Sequence, residues 1–114
     1  MSQYNLIDLT EQYIKAFDSK DLQGLAEMLC DDFVLEDPAV IRVEGKENSL
    51  VKIAEIFNNC DKLSFTAQNI FRDESNTIIE FHLKLDDLML KGTDIIVWSG
   101  DKMKELRAYL DLPK

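Results

Sequence analysis

The sequence predicts one α+β domain, a cone-shaped, curved antiparallel sheet packed on three helices in the order ααβαββββ. Three observations lead there. Apolar residues recur every three or four positions in the first half of the chain, the helical period. From about residue 63 onward they recur every second position, the period of a strand. A length of 114 residues leaves room for a single core, and only 4 Gly and 2 Pro interrupt it, with no repeat or linker.

From Tyr4 to Phe17, the residues Leu6, Leu9, Tyr13, Ala16 and Phe17 share one helical face, so Tyr13 points inward. Asp18-Ser19 offers N-cap chemistry for a second helix carrying Leu22, Leu25, Ala26 and Leu29. Phe33 to Asp37 reads as a short strand stopped by Pro38, which cannot donate a ladder hydrogen bond. After Gly45, Leu50, Ile53, Ala54 and Phe57 mark a third helix that ends in Asn58-Asn59. Leu63 to Phe71 then alternates as a long strand, with Asn69 and Ile70 breaking the rule late in the run.

Beyond the turn Asp73-Glu74-Ser75-Asn76, Ile79, Phe81, Leu83 and Leu85 form one face of the next strand, and the only histidine, His82, lies on the other. The strand Leu88 to Ser99 puts Leu90, Gly92, Asp94, Ile96 and Trp98 on one face. After Gly100-Asp101, a last strand from Lys102 to Leu110 carries Leu106, Ala108 and Leu110 on its inner face. A curved sheet only partly covered by helices leaves room for an apolar pocket.

The 13 basic and 22 acidic residues give a net charge of -9, which repels a phosphate backbone, so no nucleic acid partner is expected. No apolar run is long enough for a membrane span or a secretory signal, and a cytoplasmic location is expected, where thiols stay reduced. Cys30 and Cys60 belong to no CxxC pair and are not expected to bridge. One histidine and no Cys or His cluster cannot assemble the usual zinc ligand sets. The doublets Asp31-Asp32 and Asp86-Asp87 follow no calcium-loop pattern and read as solvated turns. No metal and no cofactor are expected.

Three polar side chains are predicted to point inward, where burial is costly unless something bonds to them: Tyr13, Asp37 and Asp94. Each also has a purely structural explanation. Tyr13 would be a core tyrosine bonded to backbone, Asp37 before Pro38 a turn former, and Asp94 a strand aspartate bonded to Tyr13 or reaching solvent.

The stretch QYIKAFDSKDLQGLAEMLCDDFVLEDP resembles the opening of ketosteroid isomerases and of the wider nuclear-transport-factor-two-like (cystatin-like) superfamily, which includes SnoaL-like polyketide cyclases. GTDIIVWSGDKMKELRAYLD is similar to the last hairpin of that family, so nearly the whole chain is covered. The resemblance implies that Tyr13 and a protonated Asp94 donate hydrogen bonds to a substrate oxyanion, while Asp37 shuttles the proton. Tyr13 and Asp37 fall on the family pattern without a gap, Asp94 after small length changes. Lys52 and Ile53 stand where aromatic pocket residues would be expected, a departure that counts against a steroid isomerase.

The chemistry fits these residue types. An aspartate at a strand end can take a proton from the carbon beside a carbonyl, and two donors in a dry pocket stabilise the enolate oxygen. Desolvation among Leu90, Ile96, Trp98 and Leu106 would keep Asp94 protonated. The expected function is cofactor-independent isomerisation or cyclisation of a small hydrophobic molecule, with Phe17, Leu90, Ile96, Trp98, Leu106, Ala108 and Leu110 binding the substrate. The alternative is a non-catalytic module holding a hydrophobic ligand or a protein partner in the same cone. Hydrolysis by an aspartate-activated water ranks below both. Ile78, Ile95 and Val97 on the outer sheet face suit a homodimer built sheet to sheet.

Overall fold

The computed structural model of the chain describes residues 4–37 and 41–111. Its elements run α1 (Leu6–Asp18), α2 (Leu22–Met28), β1 (Leu29–Asp37), β2 (Ile41–Glu44), α3 (Lys46–Asn58), β3 (Leu63–Asp73), β4 (Asn76–Leu85), β5 (Leu88–Ser99) and β6 (Lys102–Asp111). The strands form one sheet in the order β2-β1-β6-β5-β4-β3. Every neighbouring pair is antiparallel except β1 and β6, which are parallel, so the expected all-antiparallel sheet is mixed at that one seam.

Helix α1 starts where the Asn5 side chain accepts from Asp8 N, and it buries Leu6, Thr10, Tyr13, Ala16 and Phe17 along one stripe. The second helix is capped by Asp21, whose carboxylate accepts from Gly24 N at 2.9 Å, and not by Asp18-Ser19. Asp18 instead accepts from Phe65 N at 2.8 Å, tying the end of α1 to β3. Leu29, expected in the second helix, already belongs to β1, because it pairs with Met103 of β6.

Strand β2 is an addition to the expected order. It has four residues, all exposed or half-buried, and exists through its pairing with β1. So short an edge strand carries too few alternating positions to stand out in a sequence. The expected stop at Pro38 lies outside the described residues.

The break in alternation at Asn69 and Ile70 has a structural cause. The β3–β4 register shifts between Ala67 and Asn69, leaving Gln68 as an extra residue. A second shift, between Val97 and Trp98, brings both Met103 and Leu106 to the inner face of β6. Extra residues of this kind bend strands and increase their twist, which curls the sheet around its inner face.

On that face, α1 packs against β3 and β4 while α3 packs against β1 and β2. The central strands β5 and β6 are therefore left between the two helices, and the site forms over them. At the α1 end the core is closed by a buried chain of polar groups. Trp98 Nε1 donates to Thr77 Oγ1 at 2.9 Å, the Thr77 and Thr10 hydroxyls lie 2.8 Å apart, and Thr10 donates to Leu6 O at 2.7 Å. Every member of that chain is satisfied, so Thr77→Val should lower stability by about 1–3 kcal/mol by stranding the indole N–H. Urea unfolding followed by circular dichroism measures this, and an unchanged midpoint would contradict it.

Outside, Phe71, Ile78, Ile95 and Arg107 form a cross-strand row, with Phe71 half exposed. His82 lies on this outer face between Thr66 and Lys91, its Nδ1 3.3 Å from Gln68 Nε2. Cys30 and Cys60 are free thiols. Among the described residues, no group of three or more His, Cys, Asp or Glu side chains is gathered in metal-binding fashion, and no helix is long and apolar enough to cross a membrane.

Candidate active site

Strand register explains how the three inward polar groups meet. Asp94 on β5 pairs with Ile79 on one side and Ala108 on the other. Glu36 pairs with Arg107, so the next residue of β1, Asp37, falls beside Ala108. Two strand spacings therefore separate Asp37 from Asp94, roughly 10 Å between backbones, with the small Ala108 between them. Tyr13 reaches the same region from α1.

A cavity of about 60 Å³ lies there, and Tyr13, Asp37 and Asp94 all line it. Its remaining wall is apolar: Phe17 from α1, Leu35 from β1, Ile53 and Ile56 from α3, then Phe65, Phe81, Leu83, Leu106, Ala108 and Leu110 from the sheet. Of the residues expected to bind the substrate, Phe17, Leu106, Ala108 and Leu110 line this cavity. Leu90, Ile96 and Trp98 are buried but do not line this cavity. Trp98 is held in the core by its bond to Thr77, and Ile96 sits one inner-face row from Asp94. The lining contributed by Phe65, Phe81 and Leu83 has the inward alternation of a strand as its signal, whereas Ile56 needed the packing of α3 to reveal it.

Tyr13 and Asp94 are each only 3% exposed, and their side chains hydrogen-bond to one another. Burial pushes the Asp94 carboxyl up to about 8, with the nearby Asp37 charge acting in the same direction and the bond from Tyr13 partly opposing it. Burial, and then Asp94, hold the Tyr13 hydroxyl well above its ordinary value of 10.0. At neutral pH both groups therefore keep their protons, and two neutral O–H groups stand side by side at the bottom of an apolar cavity. Asp37 is half-buried, as are Ile56, Ala108 and Leu110, so this end of the cavity approaches solvent. The bond between Tyr13 and Asp94 is also one of the structural arrangements foreseen for these residues.

A curved sheet closed by helices over a small apolar cavity is the architecture of one class of α+β domain. A model of the SnoaL-like domain matches residues 10–106, and the chain belongs to that family. Its fold is that of the nuclear-transport-factor-two-like superfamily, and solved structures at low identity share it. An NTF2-like protein of unknown function from Cytophaga hutchinsonii superposes with a TM-score of 0.82 at 14% identity, covering 96% of this chain and 93% of the other. A protein assigned as a ketosteroid isomerase from Kribbella flavida gives 0.82 at 17% identity, covering 94% and 78%. One assigned as a SnoaL-like polyketide cyclase from Shewanella denitrificans gives 0.79 at 18% identity, covering 91% and 88%. No curated protein matches the sequence. The solved structures it resembles thus range over proteins assigned as isomerase, cyclase and epoxide hydrolase and proteins of unknown function, and at these identities they share the fold alone.

Proposed function

We propose that this protein is a cofactor-independent enzyme that moves a proton on the carbon beside a carbonyl, as isomerases and cyclases of this fold do. The observation that carries the reading is that Tyr13, Asp37 and Asp94 line one apolar cavity. The carbonyl oxygen of the substrate lies against Tyr13 and Asp94. Asp37, at the solvent-facing end, removes the proton from the neighbouring carbon and returns it at the same or a conjugated position. Negative charge that develops on the oxygen is met by two neutral donors where water is excluded, the setting in which such bonds stabilise a transition state most. When the substrate oxygen arrives, the Tyr13 hydroxyl turns from Asp94 toward it, so that the Tyr13 proton and the proton retained by Asp94 both donate to that oxygen.

The test uses hydrogen–deuterium exchange at the carbon beside the carbonyl, followed by NMR for a series of small ketones. Exchange accelerated by the native protein and lost in Asp37→Asn supports the reading. No acceleration of any ketone would favour the non-catalytic module, for which the specific observation is that Tyr13 and Asp94 satisfy each other without a ligand.

We further propose that the outer row of Phe71, Ile78 and Ile95 is the contact of a two-fold homodimer. Ile78→Lys should then shift the sedimentation of the native chain from dimer to monomer. A native chain that sediments as a monomer at all concentrations would refute this.

A further inference from the structure

We propose that Phe81 sets the size limit of this cavity and, with the charge of its lining, restricts it to small uncharged compounds carrying one carbonyl on a chain narrower than a ring; the carbonyl part of this rests on the function proposed above. Size comes first. Pockets for drug-sized ligands usually enclose about 300–1,000 Å³. An engineered apolar cavity of roughly 150 Å³ binds benzene. The cavity of about 60 Å³ found here accepts only a carbonyl and the carbons next to it.

Phe81 is the side chain that makes it so small. Its ring centroid is 4.9 Å from that of Phe65, which is 5.0 Å from Phe17, itself 5.1 Å from Phe57. These rings, in tilted and edge-to-face contact, form a continuous aromatic row from α3 and α1 to the sheet. At its sheet end the Phe81 ring lies directly over β5 at Gly92, the inner-face position next to Asp94. A Cβ added at Gly92 would stand 2.7 Å from Phe81 Cζ, 2.7 Å from Tyr109 O and 2.9 Å from Leu110 Cδ2. Glycine is thus required at 92 by the close approach of the ring and of the neighbouring strand. Phe81 and Leu110 both touch this position and both line the cavity, so the ring occupies space beside Asp94 into which the site would otherwise extend.

Charge supplies the second restriction. Among the described residues, Tyr13, Asp37 and Asp94 are the only polar side chains in the lining, and no Lys, Arg or His joins them. A ligand carboxylate or phosphate would be desolvated against acidic groups with no counter-charge, which is strongly unfavourable.

Fluorescence titration with 2-naphthol tests the limit. The native protein should show no saturable binding at micromolar probe, while Phe81→Ala binds at least about tenfold more tightly. Phe81→Leu, a milder truncation, serves where the alanine variant fails to fold, as judged by circular dichroism. 2-Naphthoate should bind neither the native protein nor the variants. Native binding of 2-naphthol as tight as that of a folded variant, or folded variants with no gain, would overturn the proposal, as would binding of 2-naphthoate comparable to that of 2-naphthol. In the native chain itself, accelerated exchange of 2-tetralone equal to that of 2-butanone would also overturn it. A gain in naphthol binding that is indifferent to Tyr13→Phe supports the size limit while counting against the oxyanion role of Tyr13, so the two readings fail separately.

Discussion

Asp37→Asn should reduce accelerated exchange beside the carbonyl by about 10²–10⁴-fold, because the amide keeps the shape of the carboxylate but cannot take up the proton. The register of β1 against β6 is untouched by the change, since it is set by backbone pairing at Leu35 and Glu36. Loss of rate with an unchanged circular dichroism spectrum and melting midpoint is therefore the expected signature. Tyr13→Phe removes one donor to the developing charge and should lower the rate by about 10²–10³-fold with smaller loss of ligand binding. Exchange that persists at the native rate in Asp37→Asn would remove this residue as the base.

The second large effect is on stability as a function of pH. The carboxyl of Asp94 titrates at about 8 in the fold, against an ordinary value of 3.8. Between these values the folded protein holds a proton that the unfolded chain has released, so unfolding is favoured progressively as pH rises. This contribution to stability is fully present below about pH 4, declines across the window and is gone above about pH 8. In Asp94→Asn the side chain still accepts from Tyr13 and has no proton to lose. The variant should match the native protein to within about 1 kcal/mol near pH 4, exceed it already at pH 5, and exceed it by several kcal/mol at pH 8. The net charge of -9 also disfavours the fold as pH rises, but it acts on both proteins, so the difference between them isolates Asp94. Urea titrations at pH 4, 5, 6.5 and 8 measure it, and parallel stability curves would show that Asp94 is not buried and protonated. Above about pH 8, loss of the same proton should also depress exchange in the native protein by removing one donor to the oxyanion.

The sequence was informative wherever a period was long enough to count. Tyr13 falls on the buried stripe of α1, and Asp94 shares an inner face with Ile96 and Trp98, because alternation over twelve residues leaves no doubt about which side faces in. The bulge at Gln68 appeared in the sequence as a break in that alternation. Where the period was short, the reading failed. β2 has only four residues on a sheet edge, and the cap of α2 moved from Asp18-Ser19 to Asp21 because Asp18 found a tertiary partner in the Phe65 amide.

By itself, then, the sequence determined the α+β architecture, the inward direction of Tyr13, Asp37 and Asp94, and the polarity of each sheet face, since these depend on local periodicity. Only the tertiary structure decided that β1 lies parallel to β6, which brings Asp37 within two strands of Asp94. It alone decided that Leu90, Ile96 and Trp98 pack as core while Phe65 and Phe81 narrow the cavity. The physical reason is that periodicity fixes which way a side chain points, whereas the volume left in front of it depends on residues far away in the chain.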